Sequence, residues 1–299
     1  MPEQAFISDD AHTVGSALRA FANELARAGI EGSAGDVRLL MADTLGLSAA
    51  AILAGPERPL GASELEALRH RIARRAAREP VSRILGERHF YGRPFAISPA
   101  VLDPRPDTET LVSVALDIVR AEGWTHEPIR LLDIGTGSGC LLTTLLCELP
   151  AATGTGTDVS PAALELAHDN ARQLGVGDRA AWLQADALET TLAPCHLLVT
   201  NPPYISTSDI AGLDPEVRDH DPMLALDGGA DGLEFFRRMV PRIAEVVPAG
   251  WFVCEVGHDQ TRAVADLMAT KHRGLEVPEI RIHHDLDGRK RCVAMKTRG

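Results

Sequence analysis

Asn201-Pro202-Pro203-Tyr204 is the stretch of this chain best suited to hold a planar NH2 group. Two consecutive prolines fix φ twice and remove two N–H donors, so the backbone there is stiff and offers carbonyls. Asn201 adds a side-chain acceptor and Tyr204 a flat ring. The preceding residues, His196-Leu197-Leu198-Val199-Thr200, are apolar and short enough for a buried parallel strand. Acceptors and a ring at a strand end suit an amine with both hydrogens accepted and its face stacked. Taken alone, the tetrapeptide also reads as an ordinary strand-to-loop turn, because Asn-Pro is a common turn signal.

A second motif lies upstream. Asp133-Ile134 ends a strand, and Gly135-Thr136-Gly137-Ser138-Gly139 runs from it into a helix. Three alternate glycines let the backbone approach a ligand closely and aim N–H groups at it. The nicotinamide-cofactor fingerprint G-x-G-x-x-G is similar, but here the third glycine falls one residue early for it. The next strand ends in Thr157-Asp158-Val159-Ser160. An acid about 20 residues after the glycines can accept from both ribose hydroxyls; the alternative makes Asp158 the cap of a helix opening at Pro161. Asp186, followed by Ala187, ends the third strand, where it would meet an adenine amino group. If the sheet is doubly wound and reverses after its third strand, its first and fourth strands are neighbours. The glycine loop and Asn201–Tyr204 then meet at the switch point. Jointly, these motifs specify S-adenosylmethionine-dependent methylation of a planar nitrogen.

The elements that must position them follow from periodicity. Residues 12–80 read as helices: Val14, Leu18, Phe21 and Leu25 recur at helical spacing, and Ser33 caps a helix carrying Val37, Leu40 and Met41. Ser63 and Glu66 form a capping box for a helix with a Leu65, Leu68, Ile72, Ala76 stripe. Its Arg69, Arg71, Arg74, Arg75 and Arg78 read as a solvated face, or alternatively as a docking surface for an acidic or RNA-bound partner. Residues 89–103 read as a β-hairpin linker. From residue 129 strands and helices alternate, ending in a strand pair near Glu279–His283 and Arg291–Met295, which argues a mostly parallel, doubly wound α/β sheet of seven strands. The expected domains are thus 1–88 helical, 89–103 linking and 104–299 catalytic.

Composition bounds the rest. At 299 residues with 45% hydrophobic and 24% charged content, the chain is ordinary for a globular protein. No window reaches the ~18 apolar residues of a membrane span, and the N-terminus does not read as a signal peptide, so a cytoplasmic location is expected. Five widely spaced cysteines support neither disulfides nor a metal site. The net charge of −12 is uneven: residues 1–95 hold 12 arginines and 12 acids, leaving 18 basic against 30 acidic residues in the remainder. An acidic catalytic half is a poor platform for nucleic acid, so no stable nucleic-acid binding is expected.

Across almost its whole length the chain resembles the release-factor glutamine methyltransferases (PrmC, also called HemK). The resemblance is carried by Val101-Leu102-Asp103-Pro104-Arg105-Pro106-Asp107-Thr108-Glu109, Asp133–Gly139 and Asn201–Ile205, then Gly228–Leu233, Glu255–Gln260 and Asp285–Arg291. It implies a class I S-adenosylmethionine-dependent methyltransferase domain, with a five-helix N-terminal domain that helps hold the substrate. It implies class I peptide-chain release factors as partners, methylated on the side-chain amide nitrogen of the Gly-Gly-Gln glutamine. Asn201, Pro202 and Tyr204 would then be catalytic, with Pro203 lining the substrate. Gly135, Thr136, Gly137, Ser138, Gly139, Asp158, Asp186, Ala187 and Asn201 would bind cofactor. The chain departs from many relatives at Asp103 (aliphatic there), Asp221 (glutamate) and Ala187 (aromatic). An adenine-N6 methyltransferase shares the planar-NH2 site but needs a basic channel and a flipped base. A catalytically silent nucleotide-binding factor would not need an intact Asn201–Tyr204.

Overall fold

The computed structural model describes residues 12–270, 279–285 and 287–297. The chain divides into two compact units, Met1–Gly86 and Glu87–Gly299.

The first unit is helical: α1 (Val14–Arg27), α2 (Ser33–Leu45), α3 (Ala49–Ala54), α4 (Ala62–Ala76) and α5 (Val81–Leu85). Helical spacing gathers Val14, Phe21 and Leu25 with Val37, Leu40, Met41, Leu68 and Ile72 in one core. Two caps differ from expectation. Gly32, not Ser33, caps α2, and Ser33 is its first helical residue. α4 opens earlier than a Ser63–Glu66 box would place it: Gly61 is the cap, and its N–H donates to Glu64 Oε2 at 2.8 Å. Arg58, 2.8 Å from Glu64, holds that earlier frame.

Four of the five arginines read as a solvated face, Arg71, Arg74, Arg75 and Arg78, are instead engaged within this unit. Arg75, its side chain 9% exposed, pairs with Asp36 of α2 at 2.7 Å. Arg71 reaches Asp43 at 2.6 Å and Thr44 Oγ1 at 2.9 Å. Arg74 forks onto Glu79, and Arg78 donates to the Gly29 carbonyl between α1 and α2. Their charges staple the helices of this unit.

The second unit opens with a hairpin, β1 (Glu87–Phe90) and β2 (Arg93–Ala96), that turns at Tyr91–Gly92 with both φ positive. The hairpin therefore ends well before residue 103; 97–103 are turns and irregular chain. Then come α6 (Glu109–Ala121), β3 (Arg130–Ile134), α7 (Cys140–Glu148), β4 (Thr153–Asp158), α8 (Pro161–Gln173), β5 (Ala180–Gln184) and β6 (Leu197–Thr200). Short helices α9 (Pro215–Arg218), α10 (Met223–Leu226), α11 (Glu234–Met239) and α12 (Ile243–Val246) precede β7 (Gly250–Glu255), α13 (Thr261–Thr270), β8 (Glu279–His284) and β9 (Lys290–Thr297). The seven-stranded sheet has the order β5-β4-β3-β6-β7-β9-β8, parallel except for β9, which runs antiparallel to both its neighbours. β3 and β6, the first and fourth strands of this sheet, are neighbours, with Ile134 opposite Thr200.

Successive residues of the central strands feed opposite cores, as a two-residue period requires. Leu131, Leu197 and Val199 pack with α6 and α7; Leu132, Leu198 and Phe252 pack with α11 and α13. The loops at the strand ends are thus fixed by a sheet buried on both faces. No helix among the described residues is long and apolar enough to cross a membrane.

Removing Asp36 leaves the Arg75 guanidinium buried without its carboxylate. Asp36→Ala is expected to cost the helical unit about 1–3 kcal/mol, discounted because Asp36 is partly exposed. Urea unfolding measures it; an unshifted midpoint would show the staple to be energetically idle.

Candidate functional site

The carboxyl ends of β3, β4, β5 and β6 enclose a cavity of about 410 Å³. Gly135, Thr136, Gly137, Ser138, Asp158, Asp186, Ala187, Asn201 and Pro203 line it. Gly139, Pro202 and Tyr204 do not. Gly139 is the N-cap of α7 at φ 75°, and a Cβ there would stand 2.9 Å from Ala167 Cβ and 3.1 Å from the Trp182 ring. It is glycine for packing.

The loop amides are not aimed at a ligand as expected. Gly135 and Thr136 N–H both donate to the Thr157 carbonyl at 2.9 Å, and Gly137 N–H donates to Asp158 Oδ2 at 2.9 Å. The loop is laced to β4 instead. Its glycines serve by positive φ (69° at Gly135, 55° at Gly137) and by leaving space, since a Cβ on Gly135 would meet nothing within 4 Å. Asp158 is not a helix cap; Ser160 caps α8. Its carboxylate accepts from Gly137 and, through Oδ1, from Ser160 N–H at 2.9 Å. Two carboxylate oxygens retain lone pairs for further donors. Asp186 Oδ1 accepts from Leu188 N–H at 2.8 Å, and Arg238 stands 3.5 Å from Oδ2.

Asn201 also lines a second cavity, of about 240 Å³, with Tyr204, Asp107, Glu255 and Arg291. Leu102, Arg105, Asn201 and Ala225 line both cavities, which therefore adjoin there. Asn201 Nδ2 donates to Thr108 Oγ1 at 3.1 Å, leaving Oδ1 as its acceptor. Tyr204 Oη donates to Glu255 Oε1 at 3.0 Å. Burial, then the Glu255 charge, pushes the phenol well above its ordinary pKa. Glu255 is 1% exposed, and burial raises its pKa too, against the pull of the Thr108 and Tyr204 hydroxyls and Arg291.

The turn is held from behind. Gln260 Nε2 donates to the Tyr204 carbonyl at 2.8 Å, and Gln260 Oε1 accepts from Gly257 N–H at 3.1 Å. Gly228 and Gly232 lie so close that a Cβ on Gly232 would stand 2.1 Å from the Tyr204 carbonyl oxygen and one on Gly228 2.8 Å from Tyr204 Cα. On the other side, Asp221 accepts from Asp103 N–H at 3.2 Å and from Arg105 at 2.9 Å. Sequence reasoning missed Thr108, Glu255 and Gln260. The signal available was that Thr108 and Glu255–Gln260 fall in stretches that carry the family resemblance.

A glycine loop, a strand-end acid and a strand-end Asn-Pro-Pro-Tyr on adjacent strands of a doubly wound sheet define an α/β methyltransferase. Residues 16–86 match the model of the PrmC N-terminal domain, and 121–212 that of the methyltransferase small domain. A release factor glutamine methyltransferase of Bradyrhizobium diazoefficiens is 42% identical over 285 residues, covering 95% of each chain. One of Rhodospirillum rubrum is 44% identical over 291 residues, covering 97% of this chain and 87% of its own. Among solved structures, the catalytic domain of hMettl16 in complex with MAT2A 3′UTR hairpin 6 shares the fold at a TM-score of 0.56, with 17% identity over 76% of this chain and 81% of that one. The chain belongs to the release factor glutamine methyltransferase family.

Asp133, 0% exposed beneath the glycine loop, is pushed up to about 7 by burial, and the Asp158 charge adds to this against the Thr136 hydroxyl and the Leu142 amide. A carboxyl whose folded pKa lies above its ordinary 3.8 favours folding while protonated. Its stabilising contribution is full below pH ~4 and is lost as pH rises toward ~7. Asp133→Asn should flatten that part of the stability profile, read by thermal melting from pH 5 to 8. A profile of unchanged slope would show that Asp133 does not titrate there.

Proposed function

We propose that this chain transfers a methyl group from S-adenosylmethionine to the side-chain amide nitrogen of the glutamine in the Gly-Gly-Gln loop of class I peptide-chain release factors, in the cytoplasm. The observation that carries this is Asn201, which lines two adjoining cavities and keeps Oδ1 as an acceptor. The larger cavity suits the cofactor: its glycine loop leaves open space, its walls are largely apolar, and Asp158 keeps acceptor capacity for two ribose hydroxyls. The smaller cavity suits the glutamine side chain. The helical unit, Met1–Gly86, is the part that helps hold the release factor.

S-adenosylmethionine, when bound, supplies an electrophilic methyl group on a sulfonium. An amide nitrogen is a poor nucleophile because its lone pair is delocalised into the carbonyl. Asn201 Oδ1 and the Pro202 carbonyl accept the two amide hydrogens, orient the nitrogen toward the larger cavity and favour its pyramidal form. Orientation of this kind removes much of a bimolecular barrier. The same acceptors stabilise positive charge that develops on nitrogen as it takes the methyl from sulfur, and the nitrogen then loses one hydrogen as a proton to water, which restores a neutral amide. Tyr204 gives the amide plane a flat wall, fixed by its bond to Glu255. Pro203 keeps the turn rigid.

Two outcomes test this. Asp158→Ala should weaken S-adenosylmethionine binding by about 1.5–3 kcal/mol, the scale of hydrogen bonds to a charged group. Calorimetry reads it, and an unchanged Kd would mean that Asp158 serves only the Gly137 and Ser160 amides. A release factor with its Gly-Gly-Gln glutamine replaced should accept no labelled methyl, while the intact factor does. Equal labelling of both would sink the glutamine assignment, and preferential labelling of DNA would favour an adenine methyltransferase.

A further inference from the structure

The cofactor proposed for the larger cavity carries charges of both signs. Its sulfonium and ammonium are cations, and its amino-acid tail ends in a carboxylate. The described residues lining that cavity include two acids, Asp158 and Asp186, and one basic side chain, Arg105. The glycine-loop amides, otherwise natural donors to a carboxylate, are taken. Gly135, Thr136 and Gly139 donate to backbone carbonyls, and Gly137 donates to Asp158. Arg105 differs from them. Its Nη2 donates to Asp221 Oδ2 at 2.9 Å, which engages one arm of a planar fork of N–H donors. The Arg105 side chain is 40% exposed, whereas that of Asp221 is 2% exposed. A buried carboxylate thus fixes one arm of the guanidinium and leaves the other N–H groups for a ligand.

We propose that Arg105 binds the carboxylate of the methionyl tail of S-adenosylmethionine, with Asp221 holding the guanidinium in place. This rests on the reading of the larger cavity as the cofactor site. Strand order sets the site residues out along the sheet edge. Asp186 follows β5, Asp158 ends β4, the glycine loop follows β3, and Asn201 follows β6, with these strands side by side in that order. The cofactor has its own fixed order: base, ribose, sulfur, tail. Base and ribose belong with Asp186 and Asp158, and the sulfonium methyl must face Asn201. The tail is then left at the Asn201 end of the cavity. Arg105 lines the wall there, since it and Asn201 both border the two adjoining cavities. A guanidinium fork matches a carboxylate, and bonds between the two are charge-assisted. Asp221 also offsets the guanidinium charge, which would otherwise oppose a nearby sulfonium.

The test is calorimetry on the full chain with S-adenosylmethionine and with its decarboxylated form, which lacks only that carboxylate. Arg105→Gln should weaken S-adenosylmethionine about ten- to a hundredfold. The same variant should leave the affinity for the decarboxylated form unchanged. Gln can still donate to Asp221, and a melting curve checks that the variant folds. Equal losses for the two ligands, or no loss for S-adenosylmethionine, overturn the assignment. A raised KM for the release factor with S-adenosylmethionine affinity unchanged also overturns it, by placing Arg105 on the substrate side. If Arg105→Gln does not fold, Arg105→Lys decides. It keeps the charge but not the fork, so it should weaken S-adenosylmethionine several-fold, an order-of-magnitude expectation, and spare the decarboxylated form. Equal effects on both ligands overturn the assignment there too. The wild-type chain separates the two levels. If it binds neither ligand, the cofactor reading itself falls and the assignment with it; if it binds S-adenosylmethionine and Arg105→Gln loses nothing, only the assignment falls.

Discussion

The turn at Asn201–Tyr204 has no backbone N–H at two consecutive residues, so ordinary ladder bonds cannot knit it into its surroundings. Its carbonyls and side chains must be gripped instead, and much of the nearby structure does this. The chain after Tyr204 loops out through α9 and α10 and returns by a parallel bridge between Ile205 and Asp227. That return brings Gly228 and Gly232 against the Pro203–Tyr204 backbone at distances no Cβ would tolerate. Gln260, arriving from the far side of β7, ties off the Tyr204 carbonyl. The Gly228–Gly232 and Glu255–Gln260 stretches are therefore two halves of one support for a turn that cannot support itself.

Three of the carboxyls at the site, Asp133, Asp158 and Glu255, are given separate roles by their surroundings. Asp133 is fully buried, so its charge is disfavoured even though Thr136 donates to it at 2.6 Å. Asp158 accepts two backbone amides and still faces the cavity. Glu255 is buried, which raises its pKa, and it accepts from the Tyr204 hydroxyl. The acidic excess of residues 96–299 is of the right sign for a cofactor that carries a sulfonium, and of the wrong sign for a polyphosphate.

The sheet was legible because β3, β6 and β7 are short apolar runs set among helical periods, and topology alone then brought Asn201 to the glycine loop. What stayed illegible depends on contacts between distant segments. Thr108 and Asn201 are 93 residues apart, and Tyr204 and Glu255 are 51 apart. No local pattern announces such pairs. The loop amides were misjudged for a similar reason: glycines promise free N–H groups, but β4 lies close enough to take them. The Gly61–Glu64 cap and the α4 arginines turned on tertiary partners, Arg58 and Asp36, that propensity does not see.

Two departures from many relatives look different once their contacts are known. Asp103 meets Asp221 through its backbone N–H. An aliphatic residue at 103 would keep that bond but would lose the carboxylate that stands 3.9 Å from Arg88. Asp221 is constrained, because its side chain is 2% exposed and accepts from both the Asp103 amide and Arg105. Arg105 in turn lines both cavities. The pair fastens the segment before α6 to the segment after Tyr204, beside the residues that line both cavities. A carboxylate one methylene longer could still reach Arg105, but it would have to shift one of those two segments to keep the Asp103 amide as well. The length of the side chain at 221 is therefore matched to the spacing of the two segments it joins.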